Sequence, residues 1–160
     1  MRKLLILILS IFIISCKSDT KEKESLEELF PSASENTSTS SAAPEHSPEV
    51  EESINRGAKI YNNFCATCHL GSGQGIANAF PPLNNSDWLK EKRKASISAV
   101  KHGLKGPIEV NGEEYNSVMT DLGLTDQEIA DVMNYIFTAW DNNIEPSVTL
   151  EEVAEIKEQT

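Results

Sequence analysis

The feature that most constrains this chain is the pentapeptide Cys65-Ala66-Thr67-Cys68-His69. Two thiols separated by two residues and followed directly by an imidazole match the attachment pattern of a c-type haem. The spacing has a chemical reason. Each thiol can add to one of the two vinyl groups on one edge of a porphyrin, and the adjacent histidine then projects at the ring centre to reach iron. Three other readings use part of the same pattern. A thiol-disulfide protein expects a βαβ surround for its C-x-x-C, and this chain reads as helix, loop and helix with at most one hairpin. A structural zinc site needs four ligands, and with Cys65, Cys68 and either His69 or the distant His102 the fourth is missing or forced. Free thiols persist in a reducing cytosol but tend to oxidise in an exported chain.

Export is what the N-terminus indicates. Met1-Arg2-Lys3 supplies positive charge, and Leu4 to Ile14 is an apolar run broken only by Ser10, the layout of a secretory signal over residues 1–15. The run is shorter than the roughly 20 residues that span a bilayer. It ends in Ile13-Ile14-Ser15-Cys16, which resembles the bacterial lipobox, where a small residue precedes a cysteine that is lipidated and becomes the new N-terminus. A plain signal peptide or a short uncleaved anchor is the alternative. Acyl chains on Cys16, at about 0.8 kcal/mol per buried methylene, would hold the protein on a membrane without a transmembrane helix. The three cysteines are then accounted for, one by lipid and two by haem. The expected location is the periplasmic side of a bacterial membrane, and Lys17-Ser18 leaves inner against outer open.

A length of 160 residues suits one packed domain. Fourteen Lys and Arg against 25 Asp and Glu set the net charge at −11, which excludes a nucleic-acid binder that works by neutralising phosphates. Residues 16–50 comprise Cys16 and a Ser/Thr/Glu-rich segment with too little apolar surface to offset ordering, hence a disordered tether. A coil of that length reaches on the order of 30 Å. His46 lies in it and reads as a solvated linker histidine.

The folded domain is assigned to 51–142. Ser47-Pro48-Glu49 has the marks of a helix start just before it, and Val50, Ile54, Ala58, Tyr61 and Phe64 recur at helical spacing. Gly57 interrupts this helix at a cost of about 1 kcal/mol relative to alanine, the mark of a close approach by another group. Residues 71–87 are rich in Gly, Pro and Asn and read as loop. The spacing predicts one helix over Lys90–Leu104, with Ile97, Val100 and Leu104 inward and Lys90, Lys92, Arg93, Lys94 and Lys101 outward. Ile108 to Tyr115 carries Asn111-Gly112 between short alternating runs, a hairpin signature. Thr125-Asp126-Gln127-Glu128 is a capping box ahead of the stripe Ile129, Val132, Met133, Ile136, Phe137 and Trp140. The tail, 143–160, is acidic and holds enough apolar residues for a short docked helix or for none.

An iron that only carries electrons needs a second axial ligand. The candidates are Met119, Met133, His102 and His46. Met133 falls on the buried stripe of the last helix, and His102 sits at a helix end where the dipole favours a histidine. Met119 lies in an irregular segment from which a thioether can swing over a flat cofactor, with enough chain behind it to pass round the ring. His69 and Met119 are therefore the expected metal ligands.

As a set, these residues resemble a class I monohaem cytochrome c domain from about Gly57 to Trp140. The likeness rests on Gly57 and Tyr61 ahead of Cys65 to His69, on Phe80-Pro81-Pro82-Leu83, on Gly103-Leu104, Gly106-Pro107-Ile108 and Val110-Asn111-Gly112, and on Tyr115-Asn116 and Met119. It closes with Asp126 to Ala130 and Tyr135. The resemblance implies an all-α fold of three to five helices wrapped around one haem, held covalently by Cys65 and Cys68, with a short β-hairpin. It also implies that Gly57 lies under an aromatic such as Tyr135, that the Pro81 carbonyl accepts from the ring N–H of His69, and that Leu83 packs on the ring. The family often has proline after its ligand methionine; here Thr120 follows Met119.

An iron capped by histidine and methionine has no open position for a small-molecule substrate, so the expected function is one-electron transfer between redox proteins and not catalysis. The expected cofactor is one haem c, and the expected partners are redox proteins together with the membrane that holds Cys16. The protein would be either a tethered shuttle or the docked electron-entry subunit of an oxidoreductase. Lys90, Lys92, Arg93 and Lys94 are a candidate for steering an acidic partner, set against the ordinary reading of a solvated helix face.

Overall fold

The computed structural model describes residues 46–158. The signal segment, Cys16 and the tether as far as residue 45 lie outside the described residues. Ser47 caps α1 (Pro48–Ile60): its hydroxyl accepts from the Val50 N–H, with proline in the first turn and Glu49 and Glu51 at the positive end of the helix dipole. The chain then passes through one π-helical turn, Tyr61–Cys65, in which the Ala66 N–H reaches back five residues to the Tyr61 carbonyl, and continues as α2 (Ala66–His69). A π turn inserts one residue into the helical register and is frequent at functional sites.

The inward face of α1 differs from the apolar stripe read in the sequence. Ser53, Gly57 and Tyr61 are buried, Val50, Ile54 and Ala58 are half-buried, and Phe64 is 46% exposed. Small residues face inward because α1 packs along α5 (Asp126–Thr138) at very short range. A Cβ at Gly57 would collide with the Asp131 carbonyl and stand 2.8 Å from Tyr135 Cβ. The glycine is therefore the crossing point, and its intrinsic helix cost is outweighed by the packing it permits.

In place of one helix over Lys90–Leu104 there are two, α3 (Asp87–Glu91) and α4 (Arg93–His102). Ser86 caps α3 by accepting from the Leu89 N–H, and Lys92, at φ −123° and ψ 49°, breaks the run while its ammonium sits 4.1 Å above the Trp88 ring. The hairpin forms as expected: β1 (Ile108–Val110) pairs antiparallel with β2 (Glu113–Tyr115), and Asn111 and Gly112 both take positive φ in the turn. Asp87 ties it to α3 through reciprocal bonds with Asn111.

The capping box of α5 is present in both directions, and Ile129, Val132, Met133, Ile136 and Phe137 are buried. Trp140 lies beyond that helix. It turns back at φ 56° so that its ring meets Tyr61 at 5.3 Å and Tyr135 at 6.0 Å. The helix stops at Thr138 because side chains take its last carbonyls: Thr138 Oγ1 donates to Asn134 and Tyr135, and Asn142 Nδ2 donates to Ile136. The chain then runs back to α6 (Leu150–Glu155), which buries Val153. Five helical stretches, with α1, the π turn and α2 counted as one, and one small two-stranded sheet make up a small, mostly-α fold among the described residues. None of the described helices is long and apolar enough to cross a membrane.

Candidate functional site

The π turn and α2 set Cys65, Cys68 and His69 on the wall of an apolar cleft of about 740 Å³. An inner pocket of about 590 Å³ adjoins it and shares Cys65, His69, Pro81, Leu104, Ile108 and Met119. Leu83 lines the inner pocket. All six residues singled out in the sequence, Cys65, Cys68, His69, Pro81, Leu83 and Met119, therefore line this joined cavity. No Asp, Glu, Lys or Arg lines either part.

His69 is buried, and its Nδ1 lies 3.0 Å from the Pro81 carbonyl oxygen. A carbonyl only accepts, so Nδ1 carries the proton and Nε2 keeps its lone pair. Burial pushes the imidazole below its ordinary pKa and so favours the neutral ring, partly opposed by that carbonyl. Neutral imidazole with a fixed tautomer is the form that binds metals. Burial, with Cys68 adding to it, pushes the Cys65 thiol up to about 11. A thiol-disulfide nucleophile needs the opposite shift. Among the described residues no three His, Cys, Asp or Glu side chains converge as a metal-binding group, and a structural zinc needs four ligands.

The loop after α2 holds Pro81 in place. Gly75 N–H donates to the His69 carbonyl, Leu83 and Asn84 N–H groups donate to Gly73, and Asn142 Nδ2 donates to the Leu83 carbonyl at 2.8 Å. On the other wall, Leu104 and Met119 exchange two backbone bonds of 2.8 and 2.9 Å in an isolated bridge. Gly103 makes this possible. At φ 79° it adopts a conformation that side chains avoid, and a Cβ there would stand 2.6 Å from the Met119 carbonyl oxygen. Of the other ligand candidates, Met133 is 1% exposed in the core and edges the inner pocket, His102 Nε2 faces the Ile156 carbonyl at 3.3 Å, and His46 lines a separate hollow beside Glu145.

The donor set fits an iron porphyrin: two thiols at the attachment spacing, an imidazole with a free lone pair, a thioether on the cavity wall, and an uncharged, mostly apolar surround. The sequence reading missed Asn142, which fastens the loop beneath Leu83, and the Leu104 bridge that holds Met119. Neither leaves a local signal, since each is a contact between distant segments.

Residues 54–140 match the Cytochrome c family. The chain is 48% identical over 89 residues to cytochrome c-552 of Thermus thermophilus, covering 52% of this chain and 67% of that protein. It is 32% identical over 106 residues to the cytochrome c subunit of a quinone alcohol dehydrogenase from Gluconacetobacter polyoxogenes, covering 64% of this chain and 22% of the subunit. It is 33% identical over 86 residues to the Cbb3-type cytochrome c oxidase subunit CcoP of Rhodobacter capsulatus, covering 51% and 29%. The chain thus spans about two thirds of the first relative and under a third of the other two. On this match and on the cavity built around its two thiols, the chain belongs to the cytochrome c family, and is an electron carrier with one c-type haem bound covalently through Cys65 and Cys68.

Proposed function

We propose that this protein is a one-electron shuttle whose haem iron is ligated by His69 and Met119 and whose lipidated Cys16 tethers it to the periplasmic side of a bacterial membrane. The observation that carries the axial assignment is the Nδ1 bond to Pro81, which leaves His69 Nε2 as a lone pair in an uncharged cavity that Met119 also lines. Bound there, haem supplies reversible one-electron chemistry between ferric and ferrous iron. The chain's residues tune and protect that chemistry. Pro81 makes His69 a more basic ligand, and the soft, neutral Met119 thioether favours the ferrous state and raises the potential. Leu83, on the pocket wall, would pack against the bound group, and the apolar lining would keep water from it. Held by His69 and Met119, the group would offer oxygen or another small substrate no open site, and would supply electron transfer and not catalysis. Its partners are redox proteins. A tether ahead of the domain would let it reach a donor and an acceptor in turn.

A second reading is the docked electron-entry subunit of an oxidoreductase. It is favoured by the relatives named as subunits of an alcohol dehydrogenase and of an oxidase. Co-purification in fixed ratio with a catalytic subunit selects it, and a monomer that exchanges electrons by collision selects the shuttle.

The axial assignment is tested by optical spectra of protein matured in a host that attaches c-type haem. Met119→Ala is expected to lose the sulfur-to-iron band and to bind carbon monoxide in the ferrous state, while Met133→Leu keeps the band and stays closed. A band that survives in Met119→Ala and vanishes in Met133→Leu would move the ligand to α5.

A further inference from the structure

Met119 opens a segment that has little of its own to hold it. From Thr120 to Leu124 no residue is buried, and among the described residues the only hydrogen bond made by its backbone is local, Gly123 N–H to Asp121 Oδ1. No proline lies between Asn116 and Thr125 to stiffen it. A stretch with so few bonds and so little burial opens readily unless its ends are fixed. Here both ends are fixed from the end of α4. At the first, Leu104 bridges Met119, and Gly103 lies so close that a Cβ there would stand 2.6 Å from the Met119 carbonyl oxygen and 3.0 Å from the Asp121 nitrogen. At the second, Lys101 Nζ lies 3.0 Å from Asp126 Oδ1, in the first turn of α5. The same ammonium donates to the Val153 carbonyl of α6 at 2.7 Å.

An ordinary surface ion pair contributes little, but the Lys101 side chain is only 17% exposed, and an ammonium held that deep needs its acceptors. Asp126 has no such need. The helix dipole already favours an acid in the first turn, and the box made by Thr125 and Glu128 caps α5 without help. What the pair adds is therefore geometric. We propose that Lys101 is a positioning residue for Met119: by holding Asp126 to the last turn of α4 it closes residues 119–126 into a short loop pinned at both ends, and so keeps the thioether on the cavity wall. The Val153 carbonyl fixes the direction in which the lysine reaches. With Lys101 gone, the Leu104 bridge is the one tie left at the α4 end, and the loop can pivot about it and carry the sulfur away. This inference rests on the reading of Met119 as the second axial ligand.

The test separates the two. Ferric holoprotein at neutral pH is mixed in stopped flow with rising concentrations of imidazole, which can bind only after the methionine sulfur has left. The rate of uptake therefore levels off at the rate of that departure. Lys101→Met, which keeps the apolar stem and removes the charge, is expected to raise the plateau about tenfold, the size of effect a hydrogen bond to a charged group supports. Asp126→Ala, which spares the bond to Val153, is expected to raise it at least about threefold. Two controls distinguish a tie on the loop from a general loss of packing. Arg93→Gln frees Glu152 of α6 and touches nothing in the loop, and Asp131→Asn weakens the contact of α1 with α5. Both are expected to stay within about twofold of the wild-type plateau, the loop's opening being local. Should Lys101→Met fail to mature with haem, Asp126→Ala decides. Wild-type plateaus in Lys101→Met and Asp126→Ala, or an equal acceleration in Arg93→Gln or Asp131→Asn, would overturn the inference. A wild-type protein that lacks the sulfur-to-iron band and takes up imidazole without levelling off, as Met119→Ala is expected to do, sinks the axial assignment itself.

Discussion

Asp131 shows how single residues tie this fold together. Its buried carboxylate accepts from Ser53 Oγ at 2.7 Å, from Arg56 Nε and Nη2 at 2.7 and 2.8 Å, and from Gln127 at 3.1 Å. Burial would raise the carboxyl's pKa, but these bonds outweigh it and hold Asp131 below the ordinary carboxylate value. A depressed folded-state value means the stabilisation is present above the unfolded value of about 3.9 and is lost as pH falls through the folded one. Asp131→Asn is therefore expected to be less stable by about 1–3 kcal/mol at neutral pH, and the gap to wild type to close below about pH 4. Urea unfolding at pH 7 and pH 3 checks this, and parallel losses at both would contradict it. The Ser53–Asp131–Asn134 network was not legible in the sequence. Periodicity finds apolar stripes, and three buried polar residues on two distant helices look like surface until their helices meet. Cys65, Cys68 and His69 were legible because covalent attachment to a rigid ring demands one spacing whatever the surrounding fold.

At the scale of elements, two helix starts were legible, while the start at Ser86, inside a segment read as loop, and the helix ends were not. Ser47 and Thr125 announce their helices through local bonds that a few adjacent residues define. The break at Lys92 and the stop at Thr138 depend on the Trp88 ring and on Asn142, contacts that spacing alone does not reveal. The C-terminal segment was open between a docked helix and none, and tertiary contacts decide it. Asn134 pairs with both the N–H and the carbonyl of Val148, Lys101 donates to the Val153 carbonyl and pairs with Asp126, and Arg93 clasps Glu152. Arg93 and Lys101, read as outward-facing, hold this strap in place. Deleting residues 143–160 uncovers the surface sealed by Val148 and Val153 and leaves Asn134 with only its bond to Ser53. At about 1.5–3 kcal/mol for each fully buried valine, the holoprotein is expected to lose about 3–6 kcal/mol. Denaturant midpoints of full-length and truncated chains report the loss, and equal midpoints would show the strap to be passive.

For the molecule as a whole, the account turns on one covalent fact: the apolar cavity between α2, the Pro81 loop and the Met119 bridge is built to enclose a porphyrin attached through two thioethers. Composition and charge excluded a nucleic-acid partner but did not outline the cavity, because Phe64, Pro81, Leu104 and Val118, which line it, come together only when the chain folds. The most direct measurement is acid-acetone extraction of the purified exported protein, followed by a haem assay and a mass of the chain. The account requires that colour stay with the polypeptide, with one haem per chain lost only when Cys65 and Cys68 are both replaced by serine. A colourless chain with two titratable thiols at those positions, its haem extracted or never bound, would contradict it.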